Sequence, residues 1–97
     1  MAEQKSDDKP KKDRVVLITG ASKGFGYLTA QALVKEGYKV YGGSRSKPKK
    51  ECSFNYVELD VTKSDQVKAA VDTVVKAEGK IDILINNAGT YILYIIL

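Results

Sequence analysis

The 97-residue sequence has no histidine and a single cysteine, Cys52. Imidazole and thiolate are the usual transition-metal ligands, so their scarcity argues against a metal site. One cysteine also excludes an internal disulfide framework and suits a reducing compartment. Long hydrophobic runs are missing as well. Nothing approaches the roughly 20 apolar residues of a membrane span, and the apolar stretch from Ile81 is interrupted by Asp82, Asn86 and Asn87. Residues 1–13 carry mixed charges and no apolar core, unlike a signal peptide or an amphipathic presequence, and read as a disordered lead-in. A cytoplasmic protein with no membrane partner is the expectation. Basic residues exceed acidic ones by 16 to 12, for a net charge of +4, but they are scattered. The densest cluster, Lys47-Pro48-Lys49-Lys50, lies in an evident loop and reads as a solvated one, so no nucleic-acid partner is expected.

What is present is an ordinary globular composition, 43% hydrophobic and 29% charged, in a length that allows one small domain. Val15-Val16-Leu17-Ile18 reads as a strand buried on both faces. From Phe25 the pattern becomes helical, with Leu28, Ala32 and Leu33 on one face and Gly37 closing the element. Residues 38–43 read as a second strand, 44–53 as a basic loop, and 54–59 as a third strand. Thr62 to Ala77 reads as a helix with Val67, Ala70, Val71 and Val74 in one stripe. Thr62 with Asp65 has capping-box spacing, and Gly79 ends the helix. Residues 81–85 make a fourth strand. Alternating strands and helices predict an α/β fold: a partial, Rossmann-type doubly wound parallel sheet of about four strands in the order 3-2-1-4.

Between the first strand and first helix stands Thr19-Gly20-Ala21-Ser22-Lys23-Gly24-Phe25-Gly26. A glycine turn feeding a helix aims backbone N–H groups and the positive end of the helix dipole at one point, which favours an anion. The spacing is G-x-x-x-G-x-G, not the commoner G-x-G-x-x-G, and alone it could be a plain strand–helix connector. Three further polar motifs fall at strand carboxyl ends: Ser44-Arg45, Asp60 and Asn87. Ligands of doubly wound sheets bind at that rim.

The combination of T-G-A-S-K-G-F-G, the Leu59-Asp60-Val61 segment and Asn86-Asn87-Ala88-Gly89 resembles the amino-terminal, cofactor-binding part of a classical-type short-chain dehydrogenase/reductase, over residues 15–89. The resemblance implies that Gly20, Ser22, Gly24, Phe25 and Gly26 line the phosphates and adenosine ribose of a nicotinamide cofactor. It implies that Asp60 meets the adenine amino group with the Val61 backbone beside it, and that Asn87, Ala88 and Gly89 pack on the adenosine ribose. Asn86 is expected to tie the fourth strand to its neighbours instead. For Asp60 a helix-entry role accepting backbone N–H bonds stays open. An NAD-type site carries an acid at the end of the second strand. Here Ser44 stands there, with Arg45 next and Lys23 in the turn, a set that attracts a 2′-phosphate where a carboxylate would repel it. NADP(H) is the expected cofactor, with plain surface charges as the alternative for Arg45 and Lys23.

The resemblance also implies a catalytic serine and a Tyr-x-x-x-Lys pair, and none of the six tyrosines is followed four places on by lysine. Residues 14–89 therefore read as a partial NADP-binding domain of a short-chain oxidoreductase, inactive alone. The alternative is a non-enzymatic module that binds NADP(H) or a partner. Residues 90–97 are an atypical hydrophobic tail. It reads either as a strand against the exposed side of the fourth strand or, the favoured reading, as translation from outside the proper reading frame. The usual dimer helices of the family are absent, which leaves self-association through exposed apolar surface open and predicts marginal folding.

Overall fold

A computed structural model of the chain describes residues 10–88 and 93–96. The described residues open on a 3-10 turn at Lys11–Asp13, inside the stretch expected to be disordered, where Lys11 pairs with Glu36 at 2.7 Å. Then follow β1 (Val15–Thr19), α1 (Gly24–Glu36), β2 (Lys39–Ser44), β3 (Asn55–Glu58), α2 (Ser64–Glu78), β4 (Ile83–Asn86) and β5 (Leu93–Ile96). The strands form one sheet in the order β3-β2-β1-β4-β5, of which the first four are parallel. The expected 3-2-1-4 order is thus present.

All five residues of β1 are buried because the sheet is covered on both faces. Alternation divides them: Val15 and Leu17 join Tyr41, Val57, Ala70 and Val74 beneath α2, while Val16 and Ile18 join Val40, Ala30 and Phe54 beneath α1. The α2 stripe is as expected, with Ala70 and Val74 buried and Val67 and Val71 packed beside them. Gly37 and Gly79 both close their helices in the left-handed conformation, at φ +105° and +85°.

Two local expectations need correction. Leu28 is 61% exposed and Ala32 is exposed, so of the expected α1 face only Leu33 packs inward. The inward stripe is Gly26, Ala30, Leu33 and Val34. The helix docks through its smallest residue, Gly26, and Leu28 lies about 200° around the axis from it. The Thr62–Asp65 capping box is also not formed. Lys63 is the N-cap of α2 and makes no side-chain cap bond. Thr62 instead gives its N–H (2.9 Å) and its hydroxyl (2.6 Å) to Asp60 Oδ1. A local turn around an aspartate two residues earlier outcompetes the box.

The crossover from β2 to β3 carries no helix. Phe54 covers the sheet there, packed edge-on to Tyr27 with centroids 6.1 Å apart. Gly42 makes the room, since a Cβ on it would lie 2.4 Å from the Phe54 ring. Within the tail the described residues pair as a strand: β5 runs antiparallel to β4, from Asn86↔Leu93 to Ile83↔Ile96, while residues 90–92 and 97 lie outside the described residues. Its geometry matches the first of the two readings of that segment. Residues 83–86 of β4 remain only half-buried.

At the opposite end of the sheet from the glycine turn, Glu78 accepts from the Tyr41 hydroxyl at 2.7 Å and from Lys39 Nζ at 3.3 Å. The tyrosine hydrogen bond, followed by the lysine, holds the Glu78 carboxyl below its usual range; that same bond to Glu78 raises Tyr41 above its own. A depressed carboxylate contributes stability above its unfolded pKa, which is lost as pH falls through the folded value. A raised tyrosine contributes below its unfolded pKa, and that is lost as pH rises through the folded one. The urea midpoint is therefore expected to fall on acidification below about pH 4.5 and again on alkalinisation above about pH 10. Glu78→Gln should flatten the acid limb, which urea titration across pH measures.

Candidate functional site

The site is built at the carboxyl ends of the parallel strands. Thr19, the last residue of β1 and only 5% exposed, is its hub. Its hydroxyl donates to Asn86 Oδ1 at 2.7 Å and accepts the N–H groups of Asn87 (3.0 Å) and Ala88 (3.2 Å). The ends of β1 and β4 are thereby locked together, and Asn86 plays the tying role expected of it. Next comes Gly20 at φ +66°, where a side chain would be strained. Its carbonyl accepts from the Asn87 amide at 3.4 Å. Gly26 lies directly against that carbonyl, so α1 meets the turn backbone to backbone.

Gly24 opens α1 at φ +61°, and nothing lies within 4 Å of where its Cβ would stand. The helix begins with no acidic residue in its first turn and no side-chain cap at Lys23. First-turn N–H groups lack intrahelical acceptors, so this end favours an anion.

In front of it is a cavity of about 880 Å³. The turn contributes Gly20, Ser22, Lys23 and Gly24, the end of β2 contributes Ser44 and Arg45, the segment after β3 contributes Asp60 and Val61, and that after β4 contributes Ala88. Four separated stretches of sequence thus converge on one wall. The remaining candidates lie elsewhere. Phe25 is 78% exposed and off the wall, Gly26 is buried behind the turn, and Asn87 turns its amide to Gly20. Gly89 lies outside the described residues.

Ser44 is buried and donates its hydroxyl to the Ser46 carbonyl at 2.6 Å, shaping the start of the crossover, while Arg45 is exposed beside it. The Asp60 carboxyl is held below its ordinary range by the Thr62 hydroxyl and N–H, with Arg45 and Lys63 adding attraction. One Asp60 oxygen thus serves the helix-entry role left open above, and the residue still faces the cavity. The sequence reading missed Tyr27, Leu28, Leu59 and Thr62 on the wall, together with Ser46, Lys47, Lys49 and Lys50 of the crossover, and it missed Thr19, which stands behind the wall. Tyr27 was findable, since it lies one helical turn from Gly24 and therefore on the same rim.

With this geometry the comparisons with known proteins agree. The chain belongs to the short-chain dehydrogenase family, whose model matches residues 14–95. It is 45% identical over 76 residues to a 3-ketodihydrosphingosine reductase of Bacteroides thetaiotaomicron, covering 78% of this chain and 28% of that protein. Among solved structures, the ligand-free aldohexose dehydrogenase of Thermoplasma acidophilum is 43% identical, with a TM-score of 0.75 over 84% of this chain and 32% of that one. A 3-ketoacyl-(acyl-carrier-protein) reductase of Brucella melitensis, solved with NADH, is 34% identical, with a TM-score of 0.65 over 73% of this chain and 32% of that one. The chain spans about a third of the length of these relatives.

Proposed function

We propose that this chain forms the adenosine-phosphate half of an NADP(H) site in a short-chain oxidoreductase of carbonyl or alcohol groups. The residues fit such a cofactor. Gly24 leaves its face of the turn open, Gly20 holds a backbone shape only glycine favours, and α1 starts with no acid near its N–H groups. The Brucella relative carries NADH, which supports a nicotinamide dinucleotide in general. The choice of NADP(H) rests on one observation: β2 ends in Ser44, not an acid, and Arg45 and Lys23 share the cavity wall with it. A ribose 2′-phosphate is repelled by a carboxylate and attracted by a guanidinium fork and an ammonium group.

In the complete reaction the cofactor supplies or accepts hydride. This chain's residues bind and orient its adenosine end: Gly20, Ser22 and Gly24 along the phosphates, Asp60 and Val61 at the adenine, Ala88 at the ribose. Phe25, Gly26, Asn87 and Gly89 belong to the same assignment, Gly26 and Asn87 by shaping the turn. No tyrosine here has a lysine four places on, so the reading gives this chain cofactor binding and no proton transfer of its own.

Arg45→Ala tests the choice of cofactor. A charge-assisted hydrogen bond is worth about 1.5–3 kcal/mol, so the NADPH-to-NADH affinity ratio should fall about ten- to a hundredfold. Calorimetric titration with both cofactors measures it, and an unchanged ratio withdraws the assignment of Arg45.

A further inference from the structure

The crossover after β2 carries three lysines that the reading above does not use. Lys47, Lys49 and Lys50 line the same cavity as Gly24 and Arg45. Composition makes this segment a solvated loop, but the structure pins it to α1. The Tyr27 hydroxyl donates to the Glu51 carbonyl, and Gln31 Oε1 accepts from both the N–H (2.9 Å) and the hydroxyl (3.1 Å) of Ser53. The Tyr27 ring is itself fixed, edge-on, by the buried Phe54. Lys50 Nζ stands over that ring, 5.8 Å from its centroid. A cation held over an aromatic face, on a loop already tied down, loses less freedom on meeting an anion than a free surface lysine does.

The charge on the wall is lopsided. Lys23, Arg45, Lys47, Lys49 and Lys50 face one carboxylate, Asp60, and Thr62 already occupies an oxygen of that carboxylate. On the NADP(H) reading, the start of α1 meets the pyrophosphate. The surplus of cations on two separate segments suits a further, doubly charged phosphomonoester.

We propose that Lys50, positioned by Tyr27, is a second cationic arm for the ribose phosphomonoester, acting with Arg45 from the far end of the crossover. This rests on the NADP(H) reading and extends it to two residues outside the glycine turn and the β2 end. Lys50 is the specificity-determining group, and Tyr27 is a positioning residue.

Two probes isolate the effect, because adenosine 2′,5′-bisphosphate and 5′-AMP differ by the 2′-phosphate alone. Their affinity ratio should be well above one for the unsubstituted chain. Lys50→Gln should lower it about fivefold, Lys50→Arg should retain it, and Tyr27→Phe should lower it about two- to threefold by freeing the Glu51 anchor. Circular dichroism on the same samples separates lost selectivity from lost fold, and Lys50, an exposed side chain, carries the test if Tyr27→Phe unfolds. If Lys50→Gln leaves the ratio unchanged while Arg45→Ala collapses it, the second arm is overturned and the NADP(H) reading stands. A ratio near one in the unsubstituted chain overturns both.

Discussion

Gly26→Ala is expected to lower stability by about 3 kcal/mol or more and to weaken nucleotide binding by at least about tenfold. A methyl at this position would stand 2.0 Å from the Gly20 carbonyl oxygen and 2.6 Å from Asn87 Nδ2. The carbonyl decides the outcome, because it cannot yield cheaply. It is backbone in a turn held at φ +66°, and the Asn87 amide bonds that same carbonyl. Relief requires α1 to move away from the turn, which takes its anion-binding end out of register with Lys23 and Ser22. Gly24→Ala is the contrasting change: it meets nothing within 4 Å and suffers only the strain of φ +61°, about 1–2 kcal/mol. Urea unfolding of the two variants should rank Gly26→Ala as clearly the worse. Equal midpoints would mean that α1 does not rest on the turn as described.

The second large effect is expected at Thr19. Thr19→Val keeps the shape of the side chain and removes one oxygen, which makes three hydrogen bonds to residues 86–88 at 2.7, 3.0 and 3.2 Å. Asn86 Oδ1 keeps a long bond from the Ala88 N–H at 3.4 Å, and the Asn87 N–H loses its acceptor. A partly buried polar group left without a partner costs about 1–3 kcal/mol, so a loss of about that size is expected. Thr19→Ser, which retains the hydroxyl, should cost under about 1 kcal/mol. Because the loss also leaves Ala88 on the cavity wall with only its long bond to Asn86, nucleotide affinity should drop with stability in the valine variant and persist in the serine one. If valine and serine prove equally mild, the hydroxyl is not the tie between β1 and β4.

Much of this architecture can be read directly from the residues. The run Val15–Ile18 has no polar position to place on a solvent face, so it could only be a strand covered twice, and it is the central strand beneath both helices. Alternation of such strands with helical stripes left one economical topology, the 3-2-1-4 order. The cavity was legible for the same reason, since the polar motifs follow the strands directly and a parallel sheet brings those ends together. What stayed hidden depends on close contacts that period and spacing do not carry. The rotation of α1 is set by Gly26 against Gly20, which exposes Leu28 although its apolar character predicts the reverse. At the start of α2, Asp60 and Asp65 compete for Thr62, and only geometry shows that Asp60 holds it. The basic crossover looked like solvent-facing chain because its anchors, Tyr27 and Gln31, belong to another element more than twenty positions earlier. The Leu93–Ile96 pairing was one of the two readings of its segment, and the sequence could not choose it because the free edge of β4 exists only in the assembled sheet.

The central claim is that the glycine turn, the end of β2 and the segment after β3 form one cofactor wall that distinguishes NADPH from NADH. The most direct test is a titration of the isotope-labelled chain with each cofactor, followed through its backbone amide resonances. Both cofactors are predicted to shift Gly20, Ser22, Gly24, Asp60 and Ala88, while NADPH alone shifts Ser44 and Arg45 and binds more tightly. Shifts confined to residues away from that wall, or identical responses at Arg45 to the two cofactors, would contradict it.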